Sequence, residues 1–419
     1  MRDYFIRRLL LIVPTVIGAT LLVFFITRIA PGGPLEARMR ASMALNAQSS
    51  QRGDNGGSLS ESQKEQLKAY YGYDKDFLPA YLIWLGILPR EVDKVFVDFK
   101  DGQAEAEATL KKLLPREKWT GNNAYQQIKV SVTSAGGVTP KDGANLSEWH
   151  SEAMPEKKLV SVFRRDFDGI LQGNLGYSLR YNDPVWQLVW ERIPISLFFG
   201  IAQALLTYGI CIPLGIIKAI KHRSVLDNVS SILIFIGYAI PGFVLGSVLV
   251  VYVAARWGWF PSGGFQSENF EELTFMGKVL DLLHHGTLPL ICYVIGSFAY
   301  TTMLMKNNLM DNLAADYVRT AIAKGASFKG AVLGHALRNS MIPIVTTLGQ
   351  IVLVFVGGSI LIEKIFDING FGLLSFQALL DRDFSLVMGI LVIDVVLIMI
   401  GNILSDYFVA TADPRIRFE

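Results

Sequence analysis

Charged side chains are scarce in this sequence: Asp, Glu, Lys and Arg make up 18% of its 419 residues, against a hydrophobic share of 51%. Soluble domains carry about a quarter charged residues, so this composition excludes an ordinary soluble protein and points to a membrane. Net charge is nearly absent as well, and a formal +2 leaves no basic field for nucleic acid. Cysteine is almost missing. Cys211 and Cys292 both fall inside apolar runs, too few for a disulfide framework or a zinc cluster, and they read as small hydrophobes. No Gly-x-x-x-x-Gly-Lys-Ser/Thr occurs, so the chain lacks the phosphate cradle of a P-loop ATPase. Histidine is rare too: His150, His222, His284, His285 and His335 all lie away from the middle of apolar runs, which denies an intramembrane protease its base. Adjacent His284 and His285 project differently and have no evident third ligand, so neither a metal site nor a catalytic centre is expected.

What the sequence has instead is long apolar runs, at residues 9–29, 195–217, 229–254, 288–309, 341–362 and 387–409. At about 1.5 Å per helical residue, each is long enough for a hydrocarbon layer of roughly 30 Å. The expected fold class is an all-α polytopic membrane protein with six transmembrane helices. The first run follows Arg7 and Arg8 and shows no small-residue cleavage pattern before Pro31, so it reads as an uncleaved anchor. Lys218, Lys221 and Arg223 lie between runs two and three. Lys306 at the end of run four is followed by Arg319, Lys324, Lys329 and Arg338 before run five, and Arg415 and Arg417 follow run six. The positive-inside rule then puts both termini and these connections in the cytoplasm, and the polar region after run one outside.

The chain so divides into residues 1–30 (N-terminus and first helix), 31–192 (polar region) and 193–419 (five-helix core). Within the polar region, residues 48–58 read as a flexible loop by composition. Helices are expected at 60–71, where Ser60-Glu61-Ser62-Gln63 has the form of a capping box, and at 77–88. Residues 95–99 and 127–133 read as strands and 103–114 as a helix, so that residues 90–158 form an α+β insertion.

Residues 306–343 are the one long, basic, helix-forming interval between membrane-length runs in the C-terminal half. A helical pattern covers 309–324, Gly325 breaks it, and Ser327 is placed to cap a second helix running towards Asn339. Phe328, Val332, Leu333, Ala336 and Leu337 recur at helical spacing as a broad apolar face, suited to a partner's groove or to lipid head groups.

The wording of this interval, Asp316-Tyr317-Val318-Arg319-Thr320-Ala321-Ile322-Ala323-Lys324-Gly325 and then His335-Ala336-Leu337-Arg338-Asn339, resembles the coupling loop of ABC importer permeases, specifically the oligopeptide/dipeptide branch. Against the general family pattern, Gly325 and Leu337 match, Arg319-Thr320-Ala321 stands at the Glu-Ala-Ala position, and Arg338 replaces a Pro. These departures look like those of the peptide branch. The resemblance extends to Arg7-Arg8-Leu9-Leu10, Ala30-Pro31-Gly32, Gly173-Asn174-Leu175-Gly176-Tyr177-Ser178, Glu191-Arg192-Ile193-Pro194, Gly237-Tyr238-Ala239-Ile240-Pro241, Leu361-Ile362-Glu363, Asn369-Gly370-Phe371-Gly372 and Asp413-Pro414-Arg415. The Gly237–Pro241 wording and the ending Arg415-Ile416-Arg417-Phe418-Glu419 look closest to permeases associated with peptides and the peptide antibiotic microcin C.

The resemblance implies an inner-membrane permease subunit of a bacterial ATP-driven importer, with the type I permease fold, forming half of a pathway for peptides or peptide-like compounds. It implies as partners a second, related permease, one or more cytoplasmic ATPase subunits, a periplasmic peptide-binding protein and the surrounding lipid. No cofactor is expected on this chain; ATP and Mg belong to the ATPase subunits. The implied coupling residues are Asp316, Tyr317, Arg319, Thr320, Ala321, Lys324, Gly325, Phe328, Val332, His335, Leu337 and Arg338. In the family a segment like Tyr81-Leu82-Ile83-Trp84-Leu85-Gly86 lies close to the Gly173–Ser178 wording, whereas here the two are far apart. Residues 90–158 therefore look inserted, either as a passive decoration or as an aid to docking the binding protein.

Tyr238, Pro241, Met303, Glu363 and Asp394 are candidates for pathway or gate. Pro241, with Gly237 and Gly242, can break run three and free carbonyls. Asp394 sits midway through run six, where a charge costs about 2.5–3.5 kcal/mol, so it is protonated, paired or facing a polar cavity. Glu363 closes run five, where supporting a gate competes with simple interfacial solvation. An ion-coupled secondary transporter is the alternative; it requires internal repeats and intramembrane ion ligands, and only Asp394 answers that description.

Overall fold

The structure, a computed structural model, describes residues 2–29, 61–70, 72–99, 103–113, 125–141, 143, 145–178, 180–348 and 360–412. Two units emerge from its contacts: Met1–Thr20 with Val185–Asp381 and Gly389–Glu419, and Leu21–Pro184 with Arg382–Met388. The first is helical and the second bears the strands.

Helix α1 (Arg2–Ile29) opens the chain. In the strand-bearing unit follow α2 (Glu61–Tyr70) and α3 (Phe77–Leu85), both where the periodicity puts them. Ser60 of the capping box and residues 48–58 lie outside the described residues. Helix α3 ends short of residue 88 because Gly86 takes φ +86 and closes the helix in the left-handed region. Gly169 comes so close that a Cβ there would sit 2.4 Å from the Gly86 nitrogen, a second position that only glycine fits.

Six strands come next: β1 (Arg90–Asp98), β2 (Glu105–Leu113), β3 (Tyr125–Thr133), β4 (Val138–Pro140), β5 (Trp149–Met154) and β6 (Leu159–Asp166). They form two antiparallel sheets, ordered β1-β6-β5 and β2-β3-β4. The expected strands at 95–99 and 127–133 are present, and both extend further. The helix expected at 103–114 is wrong: β2 pairs with β3 so that Ala106, Ala108 and Leu110 stand opposite Val132, Val130 and Ile128. Alternation of period two aims Leu110 into a core with Val97, Val130, Val132 and Val162. The helix propensity of Glu, Ala and Lys loses to that cross-strand burial. Residues 90–158 are accordingly a β module among the described residues, with one short 3-10 turn at Pro155–Lys157, and its last strand runs on to Asp166.

The helical unit contains α4 (Val185–Ile220), α5 (Val225–Ala239), α6 (Gly242–Leu249), which continues as a π-helix over Val250–Arg256, and α7 (Phe275–Ala314). After it come α8 (Asp316–Ala323), α9 (Phe328–Ala331), α10 (Leu337–Ser340), α11 (Ile342–Leu348), α12 (Ile360–Ile365), α13 (Phe371–Leu380) and α14 (Phe384–Ala412). Helices α1, α4, α7 and α14 are each long and apolar enough to cross a membrane. Run three is not a straight span: it bends by 86° between α5 and α6. Pro241 has no N–H to continue the ladder, and Ile240 before it is pushed to φ −92, ψ 116. Counting that broken pair as one span gives up to five among the described residues. The expected fifth run, 341–362, is described only at its ends, α11 and α12.

Helices α4 and α7 pack closely. A Cβ on Gly215 would lie 2.7 Å from the Met305 Cβ and 2.9 Å from the Thr302 carbonyl oxygen, so glycine is what lets the backbones approach. Cys211 and Cys292 are both buried in this unit as unpaired thiols.

Candidate coupling surface

Helix α7 ends where Ala315 turns out of the helical region at φ −72, ψ 148. This corrects the single helix expected over 309–324, since neither Gly nor Pro marks the break. Asp316 then opens α8 with a carboxylate at the positive end of the helix dipole. Gly325, at φ +95, closes α8, and the Ser327 hydroxyl accepts the Gly330 N–H at 3.2 Å as the cap of α9. Both agree with the sequence reading.

Beyond α9 the chain widens into a π-helix, Val332–Ala336, before α10. That widening splits the apolar face expected over 328–337. Ala331, Val332 and Ala336 turn inward onto Met305, Leu309, Val318 and Ile344, and all seven are buried. Val332 is therefore spent in the chain's own core and is not available to a partner, contrary to the expectation. Phe328 and Leu333 point outward, 55% and 50% exposed.

Around these two, Asp316, Tyr317, Arg319, Thr320, Lys324, Gly325, His335 and Arg338 are exposed, while Ala321 and Leu337 are half-buried. The Tyr317 hydroxyl donates to Asn312 and the Thr320 hydroxyl to the Asp316 carbonyl at 2.8 Å. Arg319 and Asp316 approach to 4.0 Å but stay largely exposed, which makes the pair nearly neutral for stability. The result is an apolar patch studded with cations, anchored from behind by a core that includes α7.

Beneath it lies a charge cluster that the sequence reading missed. Lys218 and Lys306, placed above on the cytoplasmic side by the positive-inside rule, are buried, and so is Asp227. The Lys306 ammonium donates to both carboxylate oxygens of Asp227 at 2.8 Å. Lys218 pairs with the same carboxylate at 3.0 Å and donates to the Asp227 carbonyl, Ser230 and Ser231, each at 2.8 Å. One carboxylate thus ties α4, α5 and α7 together. The available signal was an acid in the first turn of an apolar helix, with Lys218 ending the helix before it.

The pathway candidates fall into different settings. Tyr238 and Pro241 are exposed on either side of the bend, and Met303 is half-buried on α7. Glu363 is buried, which removes interfacial solvation as its role. Its carboxylate accepts the Leu373 N–H at 2.7 Å at the start of α13, and a Cβ on Gly370 would lie 2.6 Å from it. Asp394 holds one carboxylate oxygen buried without a hydrogen-bond partner among the described residues.

Residues 211–418 match the family described as binding-protein-dependent transport system inner membrane component. The chain is 32% identical to the inner membrane ABC transporter permease protein YejB of Escherichia coli O157:H7, with all of both chains covered. It is 30% identical to the peptidoglycan transport system permease protein YejB of Agrobacterium fabrum, over 100% of this chain and 99% of that one. The dipeptide transport system permease protein DppB of Escherichia coli K12 is 30% identical over 67% of this chain and 87% of its own. The chain belongs to this permease family. It is an ABC importer permease subunit, and the ion-coupled alternative is set aside. The expected resemblance to the oligopeptide and dipeptide branch holds. In this permease the Gly173–Ser178 wording also has a structural use: buried Ser178 donates to Asp383 at 2.6 Å within the strand-bearing unit.

Proposed function

We propose that this permease forms half of a membrane pathway for peptides or peptide-like compounds and receives the ATPase stroke through the surface of α8 to α10. The observation that carries this is the exposed patch of Tyr317, Ile322, Phe328 and Leu333 among Arg319, Lys324, His335 and Arg338, backed by a core shared with α7. Apolar anchors ringed by basic side chains suit insertion in a groove on another protein. Packing of that core onto a 40-residue helix lets a push there reach the membrane. The six strands lie outside the membrane in the periplasm and both termini lie in the cytoplasm.

The functional assembly contains a second, related permease, ATPase subunits that carry ATP and Mg, and a peptide-binding protein on the other face. ATP and loaded binding protein drive the cycle by binding inward and outward states unequally. Peptides of the microcin C type fall within the substrate class. A single cysteine at Phe328, in a chain with Cys211→Ala and Cys292→Ala, is expected to cross-link to an ATPase subunit in the assembled transporter. Cross-linking only to lipid-facing reagents or to the other permease refutes the assignment.

A further inference from the structure

Resting on the peptide reading above, we propose that the strand-bearing unit has a binding site of its own for a short peptide, held by its terminal carboxylate on Arg90. A cavity of about 370 Å³ opens in that unit beside the start of β1, with Phe24, Trp84 and Phe96 among its walls. That volume lies at the lower end of ligand pockets, roughly 300–1,000 Å³. At about 30 Å³ per water it holds on the order of a dozen heavy atoms, the size of a dipeptide.

The charges around the cavity decide what it recognises. Glu91 accepts from Lys75 and Lys94, both at 2.7 Å, and Lys94 also reaches Asp74 at 3.2 Å. Asp93 is held by Arg164 at 2.6 Å. Every charged lining side chain but one is paired in this way or, for Asp168, hydrogen-bonded to Asn174 at 2.6 Å. The exception is Arg90. It stands opposite Asp166 in the β1–β6 register, yet no hydrogen bond or ion pair joins its side chain to that or any other described residue. A half-buried guanidinium without an anion, beside aromatic walls, fits a carboxylate with an apolar body, and its planar fork can bind both oxygens. Asp168 engages Asn174 through one oxygen and leaves the other for the ammonium at the far end of a zwitterion.

The intact transporter, purified in nanodiscs, is titrated with dialanine while tryptophan fluorescence is followed, with Trp84→Phe to identify the signal. A saturable change that Trp84→Phe abolishes is expected. Arg90→Gln, and dialanine amidated at its C-terminus, each weaken binding about tenfold or more through loss of a charge-assisted bond, while Arg90→Lys retains part of it. Inorganic phosphate at equal concentration does not displace the peptide. No saturable change at millimolar dialanine, equal affinity of the amide, displacement by phosphate, or unaltered binding by both Arg90 variants overturns the site. Peptide uptake by the wild-type complex in proteoliposomes tests the permease reading separately: uptake without dialanine binding at Trp84 removes this site and leaves that reading standing.

Discussion

Asp227→Asn is expected to loosen the helical unit more than any surface change in the coupling region. In the wild type one carboxylate faces two buried ammonium groups and also accepts the Arg223 N–H at 3.1 Å. Removing its charge leaves Lys218 with three neutral oxygen acceptors and deprives Lys306 of the carboxylate that both its hydrogen bonds reach. Breaking a buried pair from one side costs about 3–5 kcal/mol, because the remaining charge is stranded away from water. Lys306→Met removes only the second cation and leaves Asp227 paired to Lys218, so a loss on the order of 1 kcal/mol follows. The double variant no longer strands Lys306, and its loss should fall short of the sum by about 0.5–3 kcal/mol. Each kcal/mol moves an unfolding midpoint by about 2–4 °C in a unit of this size, so Asp227→Asn lowers it by on the order of 10 °C. Thermal unfolding of the detergent-purified complex, followed for wild type, both single variants and the double, measures all four corners. A shift within the scatter of the wild type for Asp227→Asn, or strict additivity in the double, would refute the stranded-charge argument.

Three further expectations follow from single sites. Gly325→Val forces a branched side chain to φ +95, a strain of about 1–2 kcal/mol at an exposed turn; transport-coupled ATP hydrolysis should fall while membrane insertion, read by fractionation, stays normal. Gly370→Ala puts a Cβ against the Glu363 carboxylate, so it and Glu363→Ala, which orphans the Leu373 N–H, should each destabilise by about 1–3 kcal/mol in unfolding assays. Burial alone would raise the pKa of Glu91, but hydrogen bonds from Lys75 and Lys94 win and hold it below the ordinary glutamate value of 4.5. A depressed acid contributes stability that is present above 4.5 and lost as pH falls through the lower folded value. Limited proteolysis of the strand-bearing unit should therefore accelerate below that pH, and Glu91→Gln should flatten the dependence.

How much was legible follows from the range of the interactions involved. The apolar runs, the Pro241 break, the Gly325 turn and the Ser327 cap are local, and each is written in a few adjacent residues whose backbone preferences survive in any context. The coupling wording likewise sits in one continuous stretch. The helix expected at 103–114 failed because Glu, Ala and Lys favour a helix locally, while the partner that makes Ala106, Ala108 and Leu110 a strand face is β3, across a connection the pattern cannot see. Val332 failed for a related reason: the π-helix at Val332–Ala336 rotates it inward, and only the surrounding core reveals the rotation.

By itself the sequence determined the membrane class, the basic interval 306–343 and its family wording, because these depend on composition and short-range order. The tertiary structure alone decided which of those basic residues meet water. Lys306 and Lys218 look like the other cations of the positive-inside pattern, yet Asp227 draws both into the protein, since a buried charge is tolerated only where a distant carboxylate arrives to meet it.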